Sequence, residues 1–246
     1  MPTYSDIIRN LTKIVGPKRI ITDRIDMLPY VHEERGLAQG KADVVLRPLN
    51  TNQVSSIMKY CYKQKLPVIP VGGATGLVGG TLANGGIILS TDSMNNILKV
   101  DQLNNTMTVE AGCILADLQQ AAKEQNCLFP LSLGAEGSCR IGGNLATNAG
   151  GVNVLKYGSA RDLCLGIEAV LADGKLFNDL KELKKDNVTQ ESAKEVRTEA
   201  GNKAESDEEG MIPKENPPET ETVNAAENKI KVKADEENGD SLNDTV

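Results

Sequence analysis

Two stretches carry most of the chemistry this sequence could do. The first is PVIPVGGATGLVGG at 67–80. Its β-branched apolar run reads as a strand that delivers a loop with glycines at 72, 73, 76, 79 and 80. Glycine admits φ > 0 and lets a ligand reach bare backbone N–H groups. The loop holds no Lys, Arg or Asp, so an anionic diphosphate bound here would be gripped by main-chain amides. Read alone, the stretch fits a plain strand-turn-strand corner equally well. The second stretch, LGAEGSCRIGGNLATNAGG at 133–151, is too long and too apolar at its centre for a linker.

Other reactive residue types have plainer readings. Cys139 lies inside the second stretch and is expected to be a small packed residue, not a nucleophile. Arg161 and Asp162 suggest an ion pair that steadies a loop, and Glu136 and Arg140 are expected to face solvent. His32 is the single histidine and reads as structural or exposed; Glu33, Glu34 and Arg35 read as a surface charge cluster.

The elements that must position these stretches follow from periodicity. Residues 1–40 suggest a small helical entry, with Ser5 capping a helix that uses Ile7, Ile8, Leu11, Ile14 and Val15. VVLRP at 44–48 is a strand stopped by Pro48. Thr51 or Asn52 would cap the next helix, whose apolar face is Val54, Ile57, Met58 and Cys61. With the strand at 67–71 this makes one β-α-β unit, long enough in its connection for parallel strands. GIILS at 86–90 is another strand. A second unit opens with ILKVD and TMTVEAG, joined at Asn104-Asn105, which tolerates the left-handed backbone of a hairpin. A helix over 114–125 follows, then strands at 166–172 and 176–177 around Asp173-Gly174. The fold class is α+β: two sheet-and-helix lobes, about 41–95 and 96–177, with a ligand between them where the glycine runs converge.

Composition bounds the rest. Residues 178–246 carry 19 acidic and 10 basic side chains, net −9, out of 34 and 27 in the chain, which leaves 15 acids and 17 bases elsewhere, net +2. No basic stripe suits nucleic acid. From 188 to 246 the sequence has few large apolar residues and dense charge, and is expected to form a disordered acidic tail. Cysteines 61, 113, 127, 139 and 164 are scattered, with no zinc-ligand spacing, which implies reduced thiols in a cytoplasmic setting. No apolar run reaches the roughly 18 residues of a membrane span. No signal-peptide pattern opens the sequence, and Asp6 argues weakly against a transit peptide.

Several motifs in register then point to a family. PVIPVGGATGLVGG resembles the diphosphate loop of the FAD-binding domain shared by vanillyl-alcohol oxidase and para-cresol methylhydroxylase. PLSLGAEGSCRIGGNLATNAGG at 130–151 resembles the second flavin segment of one branch, the FAD-linked D-2-hydroxy-acid dehydrogenases acting on D-lactate, glycolate or D-2-hydroxyglutarate. YGSARDLCLGIEAVLADG at 157–174 and YVHEERGLAQGKADVVLRPLNT at 30–51 continue the pattern. The resemblance implies a two-lobed FAD-binding domain over 41–187. It implies that Val71, Gly72, Gly73, Ala74, Thr75, Gly76, Leu77 and Val78 wrap the FAD diphosphate. Relatives that attach flavin through this loop carry His where Ala74 stands, so FAD should be non-covalent. Gly134, Gly137, Ser138, Gly142, Gly143, Asn144, Thr147 and Asn148 would lie along the ribityl chain and ring edge. Capping and turn formation explain Asn144 and Asn148 equally well.

The family reaction oxidises a D-2-hydroxy acid to the 2-oxo acid, and the flavin carries the redox step. Relatives continue past the position of Lys184 into a third flavin segment and a substrate domain that supplies a His base, a carboxylate-binding Arg and, in some members, a metal site. This sequence has no match to those parts, so no catalytic or metal residue is assigned. Three expectations follow: a shortened dehydrogenase with weak or no turnover, the FAD-binding half of a split enzyme with a partner polypeptide, or a non-catalytic interaction protein. A sheet missing its last strands would also leave an unpaired edge and favour self-association.

Overall fold

A helix forms at the start because Thr3 and Asp6 stand three apart. In the computed structural model, which describes residues 2–180, 226–233 and 235–236, Thr3 Oγ1 accepts from Asp6 N at 3.2 Å and the Asp6 carboxylate accepts from Thr3 N at 3.3 Å. This capping box, not Ser5, starts α1 (Tyr4–Val15). Its buried Leu11 and Val15 pack on α3 (Thr51–Gln64). The cap of α3 is Asn50, whose Oδ1 accepts from Gln53 N at 3.0 Å; neither Thr51 nor Asn52 serves. Val54, Ile57, Met58 and Cys61 are all buried, as their spacing requires.

The first sheet holds β1 (Ile20–Ile21), β2 (Val44–Leu46), β3 (Val68–Val71) and β4 (Ile87–Ser90) in the order β1-β2-β4-β3. β2 and β3 run parallel, as expected, but each pairs with β4 and not with the other. All four residues of β4 are buried, so its solvent-free position is the sheet interior. The three parallel strands end along one edge, where ligands of such sheets bind. That edge is pinned by Asp92. Arg47 Nε donates to both its oxygens at 3.0 and 2.9 Å. Tyr30, on α2 (Arg24–Val31), donates at 2.8 Å, and Ser93 Oγ donates at 2.9 Å. Burial alone would push the Asp92 carboxyl up, but bonds from Arg47, Tyr30 and Ser93 outweigh it and hold the group below its ordinary range. Burial, then the bond to Asp92, push the Tyr30 phenol up to about 12.

The second sheet is antiparallel. β5 (Ile97–Asp101) and β6 (Thr106–Glu110) form the hairpin expected at Asn104-Asn105, with Asn105 at φ +49°. α4 (Leu115–Lys123), β7 (Cys127–Leu128), α5 (Ile141–Ala146) and α6 (Val154–Tyr157) lead to β8 (Cys164–Val170) and β9 (Leu176–Asn178). Between β6 and β8 lies β10 (Ala226–Lys233), giving the order β5-β6-β10-β8-β9, and β11 (Asp235–Glu236) pairs with β7. Lys229 stands opposite both Glu110 and Glu168 in the backbone register. Ile230 and Val232 are buried in a core that includes Met107, Val109, Phe129 and Ile141.

Within 188–246, expected to be a disordered acidic tail, the structure describes strands at 226–233 and 235–236, while 188–225, 234 and 237–246 lie outside the described residues. Composition averaged over the stretch hides the local alternation of Ile230 and Val232, and two waiting strands supply hydrogen bonds on both sides. β10 is thus paired on both sides, between β6 and β8.

Two expectations test this architecture. Ile230→Ala should lower unfolding free energy by about 2–4 kcal/mol in a urea titration; an unchanged midpoint would place residue 230 outside the core. Asp92→Asn should lower the urea midpoint by a constant amount between about pH 5 and 9. Because the folded carboxyl titrates below its unfolded value, the wild-type advantage should shrink as pH falls below about 4. A gap undiminished at about pH 3 would contradict the role given to the charge.

Candidate functional site

The glycine loop leaves β3 at the ligand edge of the parallel strands. The carbonyl of Val71 accepts from Thr91 N at 3.0 Å, which fixes the take-off point. The chain then presses on the second glycine-rich run. A Cβ placed on Gly73 would stand 2.3 Å from the Ser138 carbonyl oxygen and 3.0 Å from Cys139 Cα. One on Gly72 would meet Arg140 Cβ at 3.4 Å and Gly143 N at 3.7 Å. The two runs therefore converge, and backbone meets backbone at 73 because that residue has no side chain. Beyond it, Ala74 holds φ +53° and packs beside Met27, Val31, Val71 and Ala83. Thr75 is half-buried, while Gly76, Leu77 and Val78 are exposed.

The second run is folded back on the rest of its lobe. Ile141 N donates to Cys113 O at 3.0 Å and Gly142 N to Ala111 O at 2.9 Å, which seats α5. Glu136 is half-buried and corrects the expectation of exposure: it accepts from Ser132 Oγ at 2.6 Å and Leu133 N at 3.0 Å, and the Ser132 bond leads in holding its carboxyl below the usual range. Arg140 is likewise half-buried. Its Nη1 donates to Gly112 O, and its buried Nε has no partner among the described residues. The expected Arg161–Asp162 pair is also corrected. Arg161 donates to the carbonyls of Ala146 at 3.0 Å and Leu145 at 3.4 Å, while Asp162 accepts from Ser159 N and Oγ at 2.7 and 2.6 Å.

The polar side chains of the second run have internal partners. Asn144 is buried and its amide donates to Cys139 Sγ at 3.3 Å. Thr147 Oγ1 donates to Gly143 O at 2.9 Å, Ser138 Oγ to Ala135 O at 3.4 Å, and Asn148, at φ +51°, accepts from Arg161 N at 3.1 Å. Ser138, Thr147 and Asn148 are exposed and keep lone pairs on the open side. Around Gly76, Gly80, Gly134, Gly137 and Gly143 an added Cβ would meet nothing within 4 Å. Backbone thus faces free space from both runs.

Open glycine backbone and a buried guanidinium Nε without an acceptor suit a ligand rich in anionic oxygens, which is what FAD offers. Machinery for proton transfer is not gathered here. His32 is exposed at the end of α2, and no group of three or more His, Cys, Asp and Glu could hold a metal among the described residues. Cys139 is buried, and burial pushes its thiol up, the setting of a packed side chain. Sequence reasoning misplaced Arg140, expected to face solvent, although a single cation in a glycine-rich run whose one other charge is Glu136 was a usable signal. It also misplaced Glu33, which is buried and accepts from Arg35 Nε at 2.9 Å.

Residues 42–179 match the FAD binding domain family. The mitochondrial D-2-hydroxyglutarate dehydrogenase of Bos taurus is 45% identical over 184 residues, covering 74% of this chain and 34% of that protein. Its namesake from Danio rerio is 46% identical over 176 residues, 71% of this chain and 32% of the other. The chain thus spans about a third of the length of these relatives. Among solved structures, p-cresol methylhydroxylase with substrate bound superposes with a TM-score of 0.67 at 18% identity, over 95% of this chain and 43% of that one, a likeness of fold. The relatives' compartment corrects the cytoplasmic expectation: both are mitochondrial by name. Free buried thiols report a reducing environment and do not distinguish one reducing compartment from another. The glycine-lined convergence of two runs and the matched residues lead to one conclusion: this chain belongs to the FAD binding domain family.

Proposed function

We propose that the chain is the FAD-holding part of a D-2-hydroxy-acid dehydrogenase, with D-2-hydroxyglutarate the first substrate to try and mitochondria the compartment. The observation that carries this reading is the contact of Gly72 and Gly73 with Ser138, Cys139, Arg140 and Gly143. It turns two separate glycine runs into one backbone-lined cleft. Residues 71–78 would bind the diphosphate through main-chain N–H groups, with Thr75 adding a hydroxyl. Gly134, Gly137, Ser138, Gly143, Thr147 and Asn148 would border the ribityl chain and ring edge, with Gly142 packed behind them on Ala111. Asn144 would act one layer behind, through its bond to Cys139. Arg140 Nε would donate to a cofactor oxygen. Ala74 offers no nucleophile, which supports non-covalent attachment.

Bound FAD supplies the hydride acceptor for oxidation of a 2-hydroxy acid. This chain's residues bind and orient that group; a proton acceptor and a carboxylate clamp would come from a further domain or a second polypeptide. Val152 and Leu155, which stand in solvent just beyond the second run, support such a partner surface.

Added FAD should bind the purified chain with quenching or shift of flavin fluorescence, and acid precipitation should release all of it. Dye-linked oxidation of D-2-hydroxyglutarate, D-lactate and glycolate should be undetectable with the chain alone. Protein that takes up no FAD, flavin retained in the acid pellet, or robust turnover would each contradict the part of the reading it addresses.

A further inference from the structure

The free end of the cofactor loop has little to hold it. Leu77 and Val78 are exposed, Gly76 and Gly80 have no neighbour where a Cβ would lie, and Ala74 and Gly79 occupy left-handed backbone. Two described bonds restrain this end: Leu82 N donates to Gly79 O at 3.0 Å, and Arg35 Nη2 donates to the Leu77 carbonyl. Arg35 comes from the turn after α2, 42 residues upstream. Its side chain is half exposed, and a long exposed arginine would ordinarily sample many rotamers.

Glu33 removes that freedom. Its side chain is 4% exposed. Oε1 accepts from Arg35 Nε at 2.9 Å, and Oε2 accepts from Arg35 N and Leu37 N, both at 3.1 Å. Gly36 N donates to the Glu33 carbonyl at 2.8 Å, closing the turn. The guanidinium thus meets a buried carboxylate through Nε and the loop through Nη2. A planar fork can make both bonds at once; a lysine ammonium cannot reproduce that geometry. We infer that Arg35, held by the buried carboxylate of Glu33, is a positioning residue that presets the cofactor loop by gripping the Leu77 carbonyl.

This inference rests on the reading that residues 71–78 bind FAD. A loop already held in shape loses less freedom when the diphosphate arrives, so the clamp strengthens binding without touching the cofactor. The test uses the full chain with Arg35→Gln, Arg35→Lys and Glu33→Gln. In the free protein, hydrogen exchange of the Leu82 amide, which bonds the Gly79 carbonyl at the loop's end, should quicken about tenfold in all three, while strand amides and the melting midpoint of the two Arg35 variants stay as in wild type. FAD affinity, followed by flavin fluorescence, should weaken about tenfold, and Arg35→Lys should not restore it. Unchanged loop exchange overturns the clamp, as does quickened exchange with wild-type FAD affinity. Wild-type protein that takes up no FAD overturns the cofactor reading beneath it, and the exchange data tell that failure from a failed clamp.

Discussion

Backbone lies on backbone where Gly73 crosses Ser138, and the cleft depends on that contact. A methyl group at 73 would stand 2.3 Å from a carbonyl oxygen, a separation no carbon tolerates. The first run can therefore lie flat against the second only with glycine at this position. Moving either run outward would separate the amides that face the open space and would pull Gly72 from the stem of Arg140.

The rest of the molecule fixes the two sides of that contact. On the first, parallel strands end together and Asp92, bonded by Arg47 and Tyr30, pins their edge beside the take-off of the loop. On the second, Ile141 and Gly142 hang α5 from the turn after β6, and β6 is itself held by β10. Thr51 Oγ1 donates to buried Glu168 at 2.6 Å, and Ser55 Oγ donates to Gly174 O at 2.7 Å, so α3 of the first lobe is bonded to β8 and the turn beyond it. These polar contacts hold the lobes in register, leaving the glycine cleft between two fixed walls.

Much of this was legible in the sequence. Periodicity revealed the buried face of α3, paired asparagines revealed the β5–β6 hairpin, and glycine spacing revealed both runs. Pairing of distant segments was less accessible. β4 inserts between β2 and β3 because its four residues are buried, which follows from the packed sheet and not from local pattern. β10 was hidden in an acidic stretch whose average composition argues against order, while two apolar residues at alternating positions suffice once β6 and β8 flank them. The charged residues of the site were misread for a related reason. Glu33, Glu136 and Arg140 look like surface groups by type, and their burial depends on backbone donors and acceptors brought near by the fold.

If FAD lies in this cleft, its binding requires the backbone contact at residue 73. Isothermal titration of FAD into Gly73→Ala, beside a thermal melt of the same protein, addresses it most directly. FAD affinity should fall by at least about tenfold, with a cooperative melt retained because both sheets are built elsewhere. Wild-type affinity in Gly73→Ala would show that the two runs do not need to meet for FAD to bind, and would contradict the account.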